Sequence, residues 1–254
     1  MKPSSLFKSF LLTALAAFLC TGCMSTPPVV KPIKNIYYNY PGKNRPQTLI
    51  VLLHGKGGTE RDFEKHGFIE AVRARNLQVD LVAVNGHLGY YFDRSLVRRL
   101  KKDVINPAKT KGYKNIWLVG ISMGGLGSLL YTMENREDID GIFLVAPFLG
   151  NSGVVQRIKK SGGLMAWDPQ KARIEKWQKD LFTFIKRFSE PDREIPLVYL
   201  AYGTKDGYRP ASLLIEKILP ENRVFRRNGG HTWKTWQPLW VEFLENGPLS
   251  KSGE

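Results

Sequence analysis

Three residues whose side chains could together form and break an acyl bond lie far apart in the chain: Ser122, Asp206 and His231. Ser122 sits in Gly120-Ile121-Ser122-Met123-Gly124, a G-x-S-x-G spacing. A serine hydroxyl is a poor nucleophile unless a base within hydrogen-bond reach removes its proton, and an imidazole does this best when a carboxylate holds its other nitrogen. In that division of labour His231 takes the proton from Ser122 and hands it to the leaving group. Asp206 fixes the imidazole tautomer and stabilises its cation. The chain has four histidines. His54 lies in a glycine loop, where it reads as a brace, and His66 and His87 precede the serine. Among acids, Asp192 and Glu194 come before the strand that Asp206 follows.

Acyl transfer also needs donors for the tetrahedral oxyanion. A serine at the tip of a sharp strand-to-helix turn requires small neighbours, which Gly120 and Gly124 supply, and the turn aims the Met123 amide at the oxyanion from the positive end of a helix. A second donor is expected from His54-Gly55-Lys56-Gly57-Gly58-Thr59, through the backbone amide of Lys56, or of Gly57 in its place. This glycine cluster is not a phosphate loop: the G-x-x-x-x-G-K-[ST] spacing is absent and Lys56 comes too early.

These residues need a scaffold that brings distant points of the chain to one edge. Asn115 to Ile121 is an apolar run without alternation, as in a parallel strand buried on both faces. Leu126, Leu129, Leu130 and Met133 then recur at helical spacing. Further strands are expected at Asn35–Tyr40, Thr48–Leu53, Val79–Asn85, Asp140–Pro147, Leu197–Tyr202 and Arg223–Arg226. Helices are expected at Glu60–Arg75 with Thr59 as cap, Asp93–Ala108, Pro169–Phe188, Ala211–Leu219 and Trp233–Leu244. Alternation of strand and helix implies an α/β fold with a mostly parallel sheet flanked by helices, in which strand carboxyl ends share one edge. Phe148–Glu194 carries no strand signal and reads as a helical lid insertion, with Trp167, Trp177, Phe182 and Phe184 facing either a substrate or the core. Tyr90, Tyr91 and Phe92, in the expected loop Gly86–Tyr91 and just after it, could line a pocket.

The arrangement resembles the alpha/beta-hydrolase superfamily, on GISMGG and on the order nucleophile, acid, histidine. Within it, LLHGKGG, GISMGG and GGHTWKTWQPLWVEFL look like the branch of esterase D-type carboxylesterases and feruloyl esterases, over roughly Thr48 to Leu244. The resemblance implies hydrolysis of a carboxylic ester through an acyl-enzyme, with no metal and no cofactor.

The first residues suggest export. Lys2 and Lys8 flank the start of a short apolar run, Phe10 to Leu19, followed by Cys20-Thr21-Gly22-Cys23; such a run is a signal segment rather than a membrane span. Its end resembles a bacterial lipobox, which implies cleavage after a signal peptide of residues 1–22 and lipidation of Cys23. Cys20 stands where leucine is usual, which leaves ordinary signal-peptide cleavage open. Met24 in the next place favours the outer membrane. Residues 23–46 are then a lipidated N-terminus and tether, and 47–248 the catalytic domain. Both cysteines fall in the signal segment, so the mature domain has neither disulfide nor metal-thiolate site.

The formal charge of +15 would attract nucleic acid, anionic lipid or acidic polysaccharide. An exported lipoprotein without zinc-ligand spacing or RNA-binding signature is not expected to bind nucleic acid. The densest cluster is Arg94 to Lys114, with Arg94, Arg98, Arg99, Lys101, Lys102, Lys109, Lys111 and Lys114 against Asp103; it reads as a solvated face or a docking face for anionic lipid or glycan. The expectation is a serine hydrolase at the bacterial envelope acting on a small-molecule or lipid ester. A lysophospholipase or thioesterase is the alternative within enzymes, and a non-catalytic envelope-binding lipoprotein the alternative outside them.

Overall fold

The computed structural model describes residues 26–190 and 195–251; the expected signal peptide and the expected lipidation site Cys23 lie outside them. Seven strands, β1 (Asn35–Tyr38), β2 (Thr48–Leu53), β3 (Val79–Val84), β4 (Asn115–Ile121), β5 (Gly141–Val145), β6 (Leu197–Gly203) and β7 (Val224–Arg227), form one sheet in the order β1-β3-β2-β4-β5-β6-β7. Only β1 is antiparallel. Strands β2, β3 and β5 are buried at every residue and β4 at all but its first, which is why their sequences are unbroken apolar runs.

Ten α-helices cover the two faces of the sheet among the described residues: α1 (Asp62–Lys65), α2 (Phe68–Arg73), α3 (Leu88–Phe92), α4 (Leu96–Leu100), α5 (Asn106–Thr110), α6 (Met123–Glu134), α7 (Ser152–Lys160), α8 (Lys176–Lys186), α9 (Arg209–Glu216) and α10 (Trp233–Asn246). Two apolar cores result. One packs Leu49, Val51, Leu118 and Leu144 against α4 to α9, and the other packs Ile50, Leu52, Val119 and Phe143 against α2 and α10. In the second, Trp240 is fully buried, stacks on Phe68 and donates its indole N–H to the Phe68 carbonyl at 3.0 Å.

Several elements depart from the expected boundaries for local reasons. The helix expected over Glu60–Arg75 is two short helices, because Gly67 takes φ 76° between them; Arg61 rather than Thr59 precedes the first, although the Thr59 hydroxyl still accepts from the Arg61 amide at 3.3 Å. The loop expected at Gly86–Tyr91 contains α3, capped by His87, whose Nδ1 accepts from the Gly89 amide at 3.2 Å. The helix expected over Asp93–Ala108 starts later, after Arg94 at φ 53°, and is interrupted by a π turn at Lys101–Ile105. Pro107 follows in the helix, and a residue without an amide hydrogen is accommodated by such widening. Between β5 and β6, α8 begins at Lys176 rather than Pro169, and α7 was not anticipated. The insertion is helical, but Trp167, Phe182 and Phe184 are buried in the first core and only Trp177 is exposed.

The segment expected as tether is held well before residue 46. Tyr90 Oη accepts from the Val30 amide at 3.2 Å and donates to the Val30 carbonyl at 2.8 Å. Ile33 is buried, its amide donating to Asp103 Oδ2 at 2.9 Å, and β1 pairs along β3. The domain therefore begins near Val29, whose side chain packs on the first core.

The basic cluster is also less free than its sequence suggests. Arg99 is buried and pairs with Asp103 at 3.4 Å. Lys101 and Lys109 both reach Asp138. Lys111 lies over the Tyr37 ring. Arg94, Arg98, Lys102 and Lys114 are the exposed cations that remain.

Candidate active site

The chain runs from β2 outward to β3 and then back past β2 to β4, so the connections after the neighbouring strands β2 and β4 leave in opposite directions. Such a switch point opens a crevice at the carboxyl edge. Ser122 follows β4 there, and the glycine loop follows β2 beside it. The two are in register, Leu53 opposite Gly120.

Ser122 takes φ 52° and ψ −113°, strained for a residue with a side chain. Its neighbours must be glycine. A Cβ on Gly120 would lie 2.3 Å from the Gly124 carbonyl oxygen, and one on Gly124 would lie 2.0 Å from that of Leu53. A Cβ on Gly55 would stand 3.3 Å from the Ser122 Cβ, so the glycine loop packs directly on the serine. Met123 opens α6, and at this first position its amide has no partner within the helix, whereas those of Gly125 and Leu126 are taken by the Ser122 carbonyl. Its carbonyl accepts from Tyr91 Oη at 2.7 Å, and burial pushes that phenol's pKa up, keeping it a donor. Tyr90 is used in holding Val30, and Phe92 is 71% exposed, so of the three aromatic residues only Tyr91 reaches the serine turn.

The glycine loop is a tight turn, with the Gly58 amide bonded to the Gly55 carbonyl at 3.1 Å and Gly57 at φ 76°. Lys56 is exposed in it. His54 is buried, and its Nδ1 donates to the Gly55 carbonyl at 2.8 Å. It braces the loop, as expected.

Asp206 and His231 come from the loops after β6 and β7, which are zipped together: the Thr204 amide donates to the Arg227 carbonyl at 2.8 Å and the Lys205 amide to the Gly229 carbonyl at 2.9 Å. A Cβ on Gly203 would meet the Gly229 oxygen at 2.3 Å, which keeps the two loops in contact. The structure brings the three residues together. His231 Nε2 lies 2.9 Å from Ser122 Oγ and His231 Nδ1 lies 2.8 Å from Asp206 Oδ2. A carboxylate only accepts, so Nδ1 carries the hydrogen and Nε2 presents its lone pair to the serine hydroxyl. The Asp206 side chain is 1% exposed and its other oxygen accepts from the Tyr208 amide at 2.7 Å; the His231 side chain keeps 25% exposure.

Three aromatic residues at the site were not assigned to it from the sequence. The Tyr208 ring lies 4.7 Å from the imidazole, while Trp236 meets it edge-on at 4.8 Å, so the histidine is held between aromatic rings. Phe148 donates its amide to the Ser122 carbonyl at 2.9 Å and packs its ring against Tyr208. An aromatic two residues beyond the acid, where an aspartate side chain bonds the backbone two residues on, is the signal that could have found Tyr208.

A sheet of this order, with a strained serine between strand and helix and with acid and histidine at the same edge, defines an alpha/beta-hydrolase fold. The chain belongs to the hydrolase family described as serine aminopeptidase, S33, whose model matches residues 44–187. Among solved structures, it is similar to Est1E from Butyrivibrio proteoclasticus, at 19% identity over 90% of this chain and 99% of that one with a TM-score of 0.57. A ferulic acid esterase matches at 15% identity, 80% and 84% coverage and a TM-score of 0.54. The monoacylglycerol lipase of Paleococcus ferrophilus matches at 19% identity, 87% and 99% coverage and a TM-score of 0.52. These likenesses concern the fold. No curated protein matches the chain in sequence.

Proposed function

We propose that the protein is a serine hydrolase that cleaves carboxylic esters through an acyl-enzyme, with Ser122, His231 and Asp206 as its triad, held at the bacterial envelope by a lipid on Cys23. The observation that carries this reading is the unbroken hydrogen-bond chain from Ser122 Oγ through His231 to Asp206. His231 Nε2 takes the hydroxyl proton as Oγ attacks the ester carbonyl, and the oxyanion is met by the amides of Met123 and Lys56. Collapse expels the alcohol, which receives the proton from Nε2. Water then repeats the sequence on the acyl-enzyme and releases the acid. Asp206, buried and acceptor-only, holds the imidazolium throughout.

The family's description names an aminopeptidase. The ester reading is favoured by the GISMGG and GGHTW motifs, and by the names of the similar structures, an esterase and a lipase among them. The exposed cations Arg94, Arg98 and Lys102 would face anionic lipid or glycan in this setting.

The test is reaction of the detergent-solubilised chain with a fluorophosphonate probe, together with hydrolysis of 4-nitrophenyl butanoate and of alanine 4-nitroanilide. Labelling at Ser122 that is lost in Ser122→Ala and His231→Ala, with turnover of the ester and not the anilide, is the expected result. Turnover of the anilide alone would make the protein a peptidase. A folded protein with neither labelling nor turnover would refute the enzyme reading.

A further inference from the structure

The insertion between β5 and β6 borders a shallow, open groove of about 850 Å³ that the chemistry above does not use. Its walls are Asn151 and α7, the latter contributing Val154 and Arg157, the stretch Gln170–Glu175, and the start of α8, contributing Lys176, Gln178 and Lys179. Five of these side chains are cationic and one, Glu175, is acidic. Lys171 and Lys176 are paired with Asp168 at 3.6 Å and Asp180 at 2.6 Å. Arg157, Arg173 and Lys179 make no ion pair among the described residues. The first turns of both helices border the groove, but the Gly153 amide is taken there by Asn151 Oδ1 and those of Gln178 and Lys179 by the Glu175 carbonyl, so the positive field comes from the side chains.

At the inner side of the groove lies Gln178, 4% exposed, with Nε2 buried and without a hydrogen-bond partner among the described residues. That nitrogen is 2.6 Å from where a Cβ on Gly150 would stand. Gly150 belongs to the short connection leading back to the nucleophile: the Phe148 amide is bonded to the Ser122 carbonyl, and Asn151, on the groove wall, is three residues further. Three Cα steps span at most about 11 Å. The near wall of the groove therefore stands at most about 11 Å from Phe148, the residue bonded to the Ser122 main-chain carbonyl, a span that one elongated small molecule covers.

Resting on the ester-hydrolase reading, the geometry points to a subsite for the anionic end of the substrate: an ester carrying a carboxylate or phosphate remote from the scissile carbonyl. Arg157 and Arg173 supply forked donors and permanent charge, which bind either group.

The test compares three esters on the full chain in detergent: 4-nitrophenyl decanoate, the mono-4-nitrophenyl ester of decanedioic acid, and its counterpart ending in phosphate. The anionic esters are expected to show the lower KM, an advantage that shrinks with added salt. In the double variant Arg157→Gln, Arg173→Gln the anionic esters lose about tenfold in kcat/KM relative to the neutral one, mainly through KM. The more affected anionic ester identifies the group the site takes. Equal effects on all three esters would overturn the subsite. Should no ester be cleaved, calorimetric titration of decanedioate and of inorganic phosphate separates the two ideas. Binding that the double variant loses keeps the anion site while the ester reading falls, and absence of binding removes the site itself.

Discussion

Asp206 has no exposed surface to speak of, so its charge must be compensated by what touches it, and the His231 N–H and Tyr208 amide do so. Asp206→Asn leaves the shape but lets the imidazole turn to the wrong tautomer; ester turnover should fall by about 10⁴-fold with little change in KM, read from steady-state kinetics. Lys56→Ala is expected to keep activity within a few fold, because the side chain is exposed and only its amide is assigned to the oxyanion. An inactive but folded Lys56→Ala would refute that assignment. At this scale much was legible in advance. A reactive serine, an acid and a base each need a residue type that few positions offer, and four histidines leave little choice. Tyr208, Phe148 and Trp236 were less visible, because an aromatic side chain looks the same in sequence whether it packs against a core or against an imidazole.

The turn between β4 and α6 depends on backbone passing backbone at Gly120 and Gly124. Gly124→Ala should cost at least about 3 kcal/mol in urea unfolding and abolish labelling of Ser122, since the nearest atoms are main-chain carbonyls that cannot swing aside. A second test lies beneath α6, where Asp138 ties three elements together: it accepts from Tyr131 at 2.7 Å and pairs with Lys101 and Lys109. Burial alone would push its carboxyl up, but the bonds from Lys109 and Tyr131 and the nearby charges outweigh that and hold it below the ordinary aspartate value. A depressed carboxyl stabilises the fold above its unfolded pKa and loses that contribution as pH falls through the folded value. Asp138→Asn should therefore destabilise by about 2 kcal/mol at neutral pH. The gap to the parent should close only as the pH falls below the ordinary aspartate range. Element types were readable because buried parallel strands are unbroken apolar runs. Boundaries were not where single residues set the backbone: Gly67 splits one helix, Arg94 at φ 53° delays another, and Pro107 follows a π turn.

For the molecule as a whole, the charge and the site face different questions. The exposed remainder of the basic cluster and the groove beside α7 and α8 are separate cationic regions, and sequence could not tell them from Arg99, Lys101 and Lys109, whose charges are answered by carboxylates distant in the chain. The proposed envelope attachment rests on Cys23 and is tested on the full chain. Cys23→Ala should move the protein from the membrane to the soluble fraction on cell fractionation and remove incorporation of labelled palmitate, while leaving the Ser122 labelling of the folded domain intact. Retention of the variant in the membrane would place the attachment elsewhere.

The grip of Tyr90 on Val30 sets a scale for that attachment. From Cys23 to Val30 the chain advances seven steps, which reach no more than about 25 Å even when pulled straight. A domain of this size has a radius of gyration of roughly 17 Å, so the mooring line is shorter than the vessel is wide. Under the proposed lipid anchor the domain would travel along the membrane with its lipid but stay pressed close to the surface. Turnover would then draw on esters in or next to the membrane surface, and lengthening the line ahead of Val30 with a flexible insert would extend the reach to esters further from that surface without touching the chemistry.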